Sequence, residues 1–125
     1  MRQRTSSCSS IEKKIGHSRS VRIGQYIAVS GTAALMEDGE VASLDVRKQA
    51  KSCLTIIQKA IEDLGGKKED IIRTRIMLKD IKDWDTVVEV HRDFFSNIHP
   101  ACTVIEVSNF IKEEWLVEIE ADCIL

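Results

Sequence analysis

The sequence predicts a single α+β domain in which a mixed β-sheet carries two helices on one face. Three observations support this class. The chain has 125 residues, 43% of them apolar, which is enough for one hydrophobic core. Its hydrophobic patterns follow the order strand, strand, helix, strand, helix, strand, strand. The last strand alternates apolar and charged residues, which is typical of a sheet with one face in the core.

The N-terminus is expected to lie outside this domain. Residues 1–14 are predicted to form a flexible tail, and residues 15–125 the folded unit. The first ten residues are rich in Arg and Ser and contain no acid, a composition that also occurs in organellar targeting peptides. Since the segment is short for such a peptide, we favour a frayed tail and a cytoplasmic protein.

The domain is expected to begin with a β-hairpin. Residues 18–23 and 26–30 are rich in β-branched and aromatic residues, and Gly24 between them can take the positive φ of a tight turn. Asp38-Gly39 indicates a second turn or small hairpin. The remaining strands are predicted at residues 71–78, 101–107 and 116–124.

The two helices are identified by apolar residues at spacings of three and four. The first runs from Val46 to Leu64, with Ser43 or Asp45 as its N-cap and Gly65-Gly66 at its end. The second begins after Asp83 and ends before His99-Pro100. Its predicted inner stripe comprises Trp84, Val87, Val88, His91, Phe94, Phe95 and Ile98. On that stripe, His91 is read as a core or interface histidine rather than a catalyst.

Composition argues against several classes of function. Eighteen basic and twenty acidic residues give a net charge of -2, and only 5% of residues are aromatic, so nucleic acid is not an expected partner. The four cysteines have no C-x-x-C spacing, which favours reduced thiols over a disulfide framework or a metal site. No apolar run approaches the roughly 20 residues that span a bilayer. We therefore expect no membrane association and no metal.

Five blocks of sequence, in order, resemble the signature blocks of the RidA/YjgF family. They are S-R-S-V-R-I-G at 18–24, V-S-G-T at 29–32, R-T-R-I-M-L-K-D-I-K-D-W-D-T-V at 73–87, H-P-A-C-T-V-I-E-V at 99–107 and W-L-V-E-I-E-A at 115–121. The resemblance implies a chorismate-mutase-like fold and a homotrimer with clefts between subunits, where small carbonyl, carboxylate or imine metabolites bind. It also implies hydrolysis of enamines and imines without metal or cofactor. Two helices on one face of the predicted sheet leave its other face uncovered. Because that face carries charged residues among apolar ones, it independently favours an oligomer.

The resemblance also implies roles for individual residues. Glu118 matches the glutamate that positions the attacking water, Gly31 a position whose main chain approaches the ligand, and His17 falls near the family's tyrosine. Cys102 stands where the deaminases keep an arginine that grips the substrate carboxylate. A thiol cannot replace a guanidinium fork, so Arg73 or Arg75 is considered as the source of the missing charge.

Each assignment has a structural alternative. Glu118 can be a solvated strand charge, Cys102 a small strand residue, His17 a surface residue, and Arg73 an interface ion pair. Two functions therefore stay open: an imine or enamine hydrolase using Glu118-activated water, and a non-catalytic, regulatory metabolite-binding trimer. RNA cleavage or translation inhibition, suggested by the family's endoribonuclease label, is a third and lesser reading.

Overall fold

The computed structural model describes residues 1–7, 9–35, 41 and 43–125. It contains six strands and three helices within these residues. They are β1 (Arg2–Thr5), α1 (Ser10–Ile15), β2 (Ser20–Ile23), β3 (Tyr26–Thr32), α2 (Val46–Glu62), β4 (Ile71–Leu78), α3 (Trp84–Phe94), β5 (Ala101–Glu106) and β6 (Val117–Ile124). The predicted α+β class and the order of its elements are confirmed. The predicted Asp38-Gly39 turn lies outside the described residues.

All six strands form one mixed sheet in the order β1-β2-β3-β6-β4-β5. Neighbouring strands are antiparallel except β4 and β5, which are parallel. Parallel neighbours need a long crossover connection, and α3 supplies it between β4 and β5. The last strand, β6, therefore lies in the middle of the sheet, between β3 and β4.

Helices α2 and α3 cover one face of the sheet and enclose the core. Alternate residues of β6 are fully or almost fully buried beneath them, because side chains along a strand point to opposite faces. The core comprises mainly Ile27, Val29, Ala50, Leu54, Ile57, Ile61, Ile76, Leu78, Val87, Phe95, Val117, Ile119, Ala121 and Cys123. The other face of the sheet, which we call the open face, is not covered by α2 or α3.

Two local predictions are confirmed with their physical causes. Asp45 caps α2, since its carboxylate accepts hydrogen bonds from the main-chain N–H groups of Arg47 and Lys48. Gly24 and Gly65 both have a positive φ, 60° in the hairpin turn and 90° after α2. By contrast, Asp83 precedes α3 but makes no side-chain capping bond.

The alternation of side chains along β4 is interrupted at its start. Strict alternation would place Ile72 on the same face as buried Thr74, yet Ile71 is buried and Ile72 is exposed. The cause is a register shift between Ile71 and Arg73 in the pairing with β6, which changes the facing of one residue.

The prediction for the inner stripe of α3 is wrong at two residues. Trp84 is 46% exposed, while Val90, which was not assigned to the stripe, is buried. His91 lies at the border of the core, where its Nε2 is 2.8 Å from Thr74 Oγ1. This hydrogen bond agrees with a structural histidine.

Two elements of regular structure, β1 and α1, lie in the N-terminal segment for which a flexible tail is predicted. Strand β1 pairs antiparallel with β2, and α1 follows with Ser9 as its N-cap. Ser9 Oγ accepts from the N–H of Ile11, and Gly16 ends the helix in the left-handed conformation. We call β1 and α1 together the N-terminal strap. Among the described residues, no helix is long and apolar enough to cross a membrane.

Candidate functional site

A cleft of about 350 Å³ opens between the N-terminal strap and the sheet. Helix α1, the residues before β2, the end of β3 and the start of β6 contribute its walls. Its apolar lining comprises Ile11, Ile15, Ala33, Leu35 and Ile111, and its polar lining Ser9, Glu12, His17, Arg19, Ser30, Gly31, Trp115 and Glu118. A volume of this size accommodates a small metabolite.

Glu118 projects into the cleft from β6. Its neighbours Val117 and Ile119 are fully buried on the helix side, so strand alternation directs Glu118 to the opposite side. Burial raises the pKa of its carboxyl group, the positive charge of Arg19 opposes the shift, and Glu120 adds to it. A carboxyl group whose pKa is raised is a stronger base, and it therefore exchanges a proton with a reacting molecule more readily.

Gly31 approaches Glu118 at an irregularity of β3. The pairing of β3 with β6 shifts register between Val29 and Thr32, which adds a residue to β3 at this point. A Cβ on Gly31 would lie 3.1 Å from Glu118 Oε1, a tight contact that glycine avoids. The bulge thus brings main chain against the carboxylate.

Arg19 lies beneath the cleft with 9% of its surface exposed. Its Nη2 donates a hydrogen bond to the main-chain oxygen of Gly31 at 2.6 Å. Burial lowers the pKa of the guanidinium, and the negative charges of Glu12 and Glu118 oppose that shift. Within the described part of the chain, its Nε has no hydrogen-bond partner.

Glu12 anchors the strap beside Arg19. Its carboxylate accepts hydrogen bonds from Ser6 Oγ at 2.8 Å, from the N–H of Ser7 at 3.1 Å and from Ser7 Oγ. Burial alone would raise the pKa of Glu12, but these bonds and the charge of Arg19 hold it below its ordinary value. The side chain is therefore a satisfied anion.

His17 and Trp115 complete the polar lining. Trp115 is 4% exposed. In the ranges that the structure covers, neither Nδ1 of His17 nor Nε1 of Trp115 has a hydrogen-bond partner. Around the cleft, therefore, ring and guanidinium nitrogens of three residues are buried without a hydrogen-bond partner among the described residues.

The structure brings together three of the five predicted site residues, Glu118, Gly31 and His17. Cys102 lies elsewhere: it is exposed on β5 and pairs with Thr74, whose side chain faces the helices. Cys102 and Glu118 consequently lie on opposite sides of the sheet within one chain.

Arg73 is exposed on β4, where it pairs with Ala101 and Asp122. It does not line the cleft. Within one chain neither Cys102 nor Arg73 lines the cleft with Glu118, so the roles predicted for them stay predictions.

The cleft residues that the sequence analysis missed include Glu12, Arg19 and Trp115. A signal for the first was present, since Ser9-Ser10-Ile11-Glu12 has the S-x-x-E pattern that begins helices. Arg19 and Trp115 lie inside recognised sequence blocks, but no local pattern marks an arginine or a tryptophan as buried. Among the residues described, no three His, Cys, Asp or Glu side chains lie close enough to hold a metal ion.

Comparisons with known proteins agree with this architecture. Residues 8–125 match the sequence model of the endoribonuclease L-PSP family. The crystal structure of Rv2704 from Mycobacterium tuberculosis, a member of the YjgF/YER057c/UK114 family, superposes with a TM-score of 0.92 at 37% identity over all of both chains. The match therefore extends over the whole domain.

Two proteins of Escherichia coli are also similar. The 2-iminobutanoate/2-iminopropanoate deaminase of strain K12 is 33% identical over 105 residues, 81% of this chain and 80% of that protein. The crystal structure of TdcF with bound serine has a TM-score of 0.80 at 26% identity over 87% of each chain. On this evidence the chain belongs to the endoribonuclease L-PSP family, also known as the RidA/YjgF family.

Proposed function

We propose that this protein hydrolyses a small imine or enamine metabolite, using water activated by Glu118 and no cofactor. The observation that carries the proposal is the Glu118 carboxyl group, which lies half-buried in a small cleft with a raised pKa. A carboxyl group in this state can take a proton from water and return it to a leaving nitrogen. The chemistry needs no other titratable group at the reacting atoms.

The reaction balances without an oxidant or reductant. The oxygen of water forms a bond to the imine carbon, the C=N π electrons move to nitrogen, and Glu118 accepts the proton released by water. Glu118 returns this proton to the nitrogen, which gives a neutral carbinolamine. Glu118 then transfers the proton of the hydroxyl group to the nitrogen, the C–N bond breaks, and ammonia leaves as the C–O bond becomes a carbonyl. An enamine enters the same sequence after it tautomerises to the imine.

Two similarities support this class of substrate. The E. coli deaminase that is 33% identical carries the name of an activity on 2-iminobutanoate and 2-iminopropanoate. TdcF, with the same fold, was crystallised with serine, a small amino acid. These three molecules are small, and each carries a carboxylate and a nitrogen on the adjacent carbon. A molecule of this kind fits a cleft of about 350 Å³.

We also propose that the cleft is completed in a homotrimer. The open face combines apolar groups such as Ala28 with the Arg75–Glu120 ion pair, whose Nη1 and Oε1 are 2.7 Å apart. A mixed apolar and charged surface of this kind suits contact with another copy of the chain. Assembly would also explain how exposed Cys102 on the edge strand contributes to a site.

The test compares two matched substitutions of glutamate by glutamine. 2-Iminobutanoate is generated in situ by an amino-acid oxidase, and the release of 2-oxobutanoate and ammonia is followed. Glu118→Gln is expected to reduce the rate about a hundredfold or more, the range of a general acid–base contribution. Glu89→Gln, which alters an exposed ion pair with Arg47 on the helix side, should leave the rate unchanged.

Hydrolysis that survives in the Glu118→Gln variant would overturn the mechanism. Absence of hydrolysis across a panel of imines, with a metabolite still bound by the unmodified protein, would instead support the non-catalytic alternative. The feature that favours this alternative is Cys102, which stands at the position of the family's substrate-binding arginine.

A further inference from the structure

We infer that Arg19 is a positioning residue for Glu118, and that Glu12 of the N-terminal strap is the counter-charge of Arg19. Arg19 holds the bulge of β3 against the Glu118 carboxylate and places a positive charge beside it. The inference deepens the proposed function, on which it rests for the reaction that Glu118 performs. It makes the strap a working part of the site in addition to a wall of the cleft.

Arg19 ties the strap to the bulge of β3 through three hydrogen bonds. Its main-chain N–H donates to the main-chain oxygen of Thr5 in β1 at 2.8 Å, and its main-chain oxygen accepts from the N–H of Ser30 at 3.0 Å. Its Nη2 donates to the main-chain oxygen of Gly31 at 2.6 Å. Ser30 and Gly31 lie where the pairing of β3 with β6 shifts register, so Arg19 holds the bulge with both its main chain and its side chain.

The bulge in turn lies against Glu118. A Cβ on Gly31 would be 3.1 Å from Glu118 Oε1, so the main chain of Gly31 borders the carboxylate. Arg19 has 9% of its surface exposed, and its bond to Gly31 O is therefore shielded from competing water. Arg19 thus acts on the position of Glu118 through one intervening residue.

The charge of Arg19 acts on the same carboxylate. Burial disfavours the ionised form of a carboxyl group, and it is the largest cause of the raised pKa of Glu118. Arg19 opposes this rise in pKa, because a nearby positive charge favours the ionised form. Glu118 has to be ionised to accept the proton of the attacking water. Burial therefore makes Glu118 a stronger base, and Arg19 favours its charged form.

Glu12 stabilises the charge of Arg19 in its buried place. Burial lowers the pKa of the guanidinium, and the negative charges of Glu12 and Glu118 oppose that shift. The Glu12 carboxylate accepts hydrogen bonds from Ser6 and Ser7, and these bonds and the charge of Arg19 favour its ionised state. The anion of α1 thus helps a cation to remain charged beside β6.

Other titratable groups lie around Glu118 on the neighbouring elements. Glu120, on the same strand, adds to the rise in the pKa of Glu118, and its own carboxylate is paired with Arg75 of β4 at 2.7 Å. Cys53 of α2 lies on the helix side of β6, and burial raises the pKa of its thiol, which is therefore neutral. His17 lines the cleft before β2. The positive charge that lowers the pKa of Glu118 comes from the guanidinium beneath the cleft.

The first measurement uses the guanidinium of Arg19 as a probe in the full chain. Its Nε–H is buried without a hydrogen-bond partner among the described residues, so this proton should exchange slowly enough to be followed by NMR. Its shift should change with pH in two steps, because the pKa of Glu12 is lowered and that of Glu118 is raised. Glu12→Gln should abolish the lower step and Glu118→Gln the upper one. Glu89→Gln, on the helix side, should retain both.

Two variants of Arg19 separate its charge from its hydrogen bond. Arg19→Gln removes the charge, so the acidic limb of the kcat/KM profile for imine hydrolysis should move to higher pH, with a loss of about tenfold on that limb. Arg19→Lys keeps the charge but not the guanidinium geometry, so it should restore the limb and lower the plateau. Arg22→Gln is the control, since Arg22 bonds to Leu64 O outside the cleft and should change neither.

The outcomes distinguish this inference from the proposed reaction. Both steps at the Arg19 resonance in a protein that hydrolyses no imine keep the positioning role and overturn the hydrolase. Hydrolysis with an unmoved acidic limb in Arg19→Gln overturns the positioning role and keeps the hydrolase. If the Arg19 variants do not fold, the unmodified side chain decides: an upper step that is absent, or that survives in Glu118→Gln, overturns the inference.

Discussion

Glu118 Oε1 lies 3.1 Å from the point that a Cβ on Gly31 would occupy. The bulge of β3 thus lies against the titratable group of β6, and a side chain at position 31 would crowd the carboxylate. Arg19 supports the same arrangement from below through its hydrogen bond to Gly31 O. The geometry of the cleft therefore depends on this one close approach between the paired strands β3 and β6.

Gly31→Ala is expected to displace the Glu118 carboxylate and to lower kcat about tenfold, since small misplacements of a reacting group are costly. Its thermal stability should change little, because the contact is with the end of a flexible side chain. Gly66→Ala is the contrast: its Cβ would lie 2.8 Å from Ile61 Cγ2, so it should lower Tm and leave the KM unchanged. Equal effects of both variants on activity would contradict the prediction.

Glu118→Gln is expected to stabilise the protein near neutral pH. Burial raises the pKa of Glu118 in the folded state, so the stability it contributes is present below its ordinary pKa and is lost as pH rises through the raised pKa. The glutamine side chain is uncharged at every pH, so the variant has no such pH-dependent loss of stability. Thermal melting should show a gain on the order of 1–3 °C at about pH 8 and a smaller one at about pH 4. The reverse trend would rule out desolvation as the dominant effect.

The N-terminal strap is expected to loosen in acid through Glu12. Hydrogen bonds hold the pKa of Glu12 below its ordinary value, so this carboxylate stabilises the strap above that value and the effect is lost as pH falls through the lowered pKa. Glu12→Gln should mimic the loss at neutral pH. Hydrogen exchange at Gly16 and His17, whose amides bond to Glu12 O, should then accelerate.

Lys13→Gln serves as the control for the strap, because Lys13 is exposed on the same helix. Its exchange rates should match those of the unmodified protein. If both variants exchange alike, Glu12 does not anchor the strap.

Thr74→Val is expected to destabilise the domain by about 1–2 kcal/mol, because it leaves Nε2 of His91 without its partner in a buried place. Burial lowers the pKa of His91, so its contribution is full above its ordinary pKa and is lost as pH falls. Urea unfolding near pH 7 measures the loss. Thr55→Val, on the exposed side of α2, should cost much less; equal losses would deny His91 a structural role.

The open face is expected to hold the proposed trimer. Light scattering should give three times the chain mass for the unmodified protein and a lower mass for Ala28→Arg, which adds a bulky charge to this face. Thr55→Arg, on the exposed side of α2, should leave the mass unchanged. A mass of one chain for the unmodified protein would contradict the trimer.

Much of the fold could be predicted because its signals are periodic and local. Helix α2 has a continuous apolar stripe, an Asp45 cap and a glycine after its end, and each feature acts within a few residues. The bulges in β3 and β4 were not predictable in this way. A single inserted residue leaves no mark in the periodicity of the sequence. Ile71 is therefore buried and Ile72 exposed, where strict alternation with Thr74 would give the reverse.

The sequence by itself determined the α+β class, the order of the main elements, the family, and the residues Glu118, Gly31 and His17 that share the cleft. Only the tertiary structure decided that Arg19 is buried beneath them, that Trp115 faces the same cleft, and that Cys102 lies on the other side of the sheet. The physical reason is that burial and facing depend on elements far apart along the chain. Arg19 shares the cleft with residues of α1, β3 and β6 and bonds to Gly31 O, and no local pattern records its burial there.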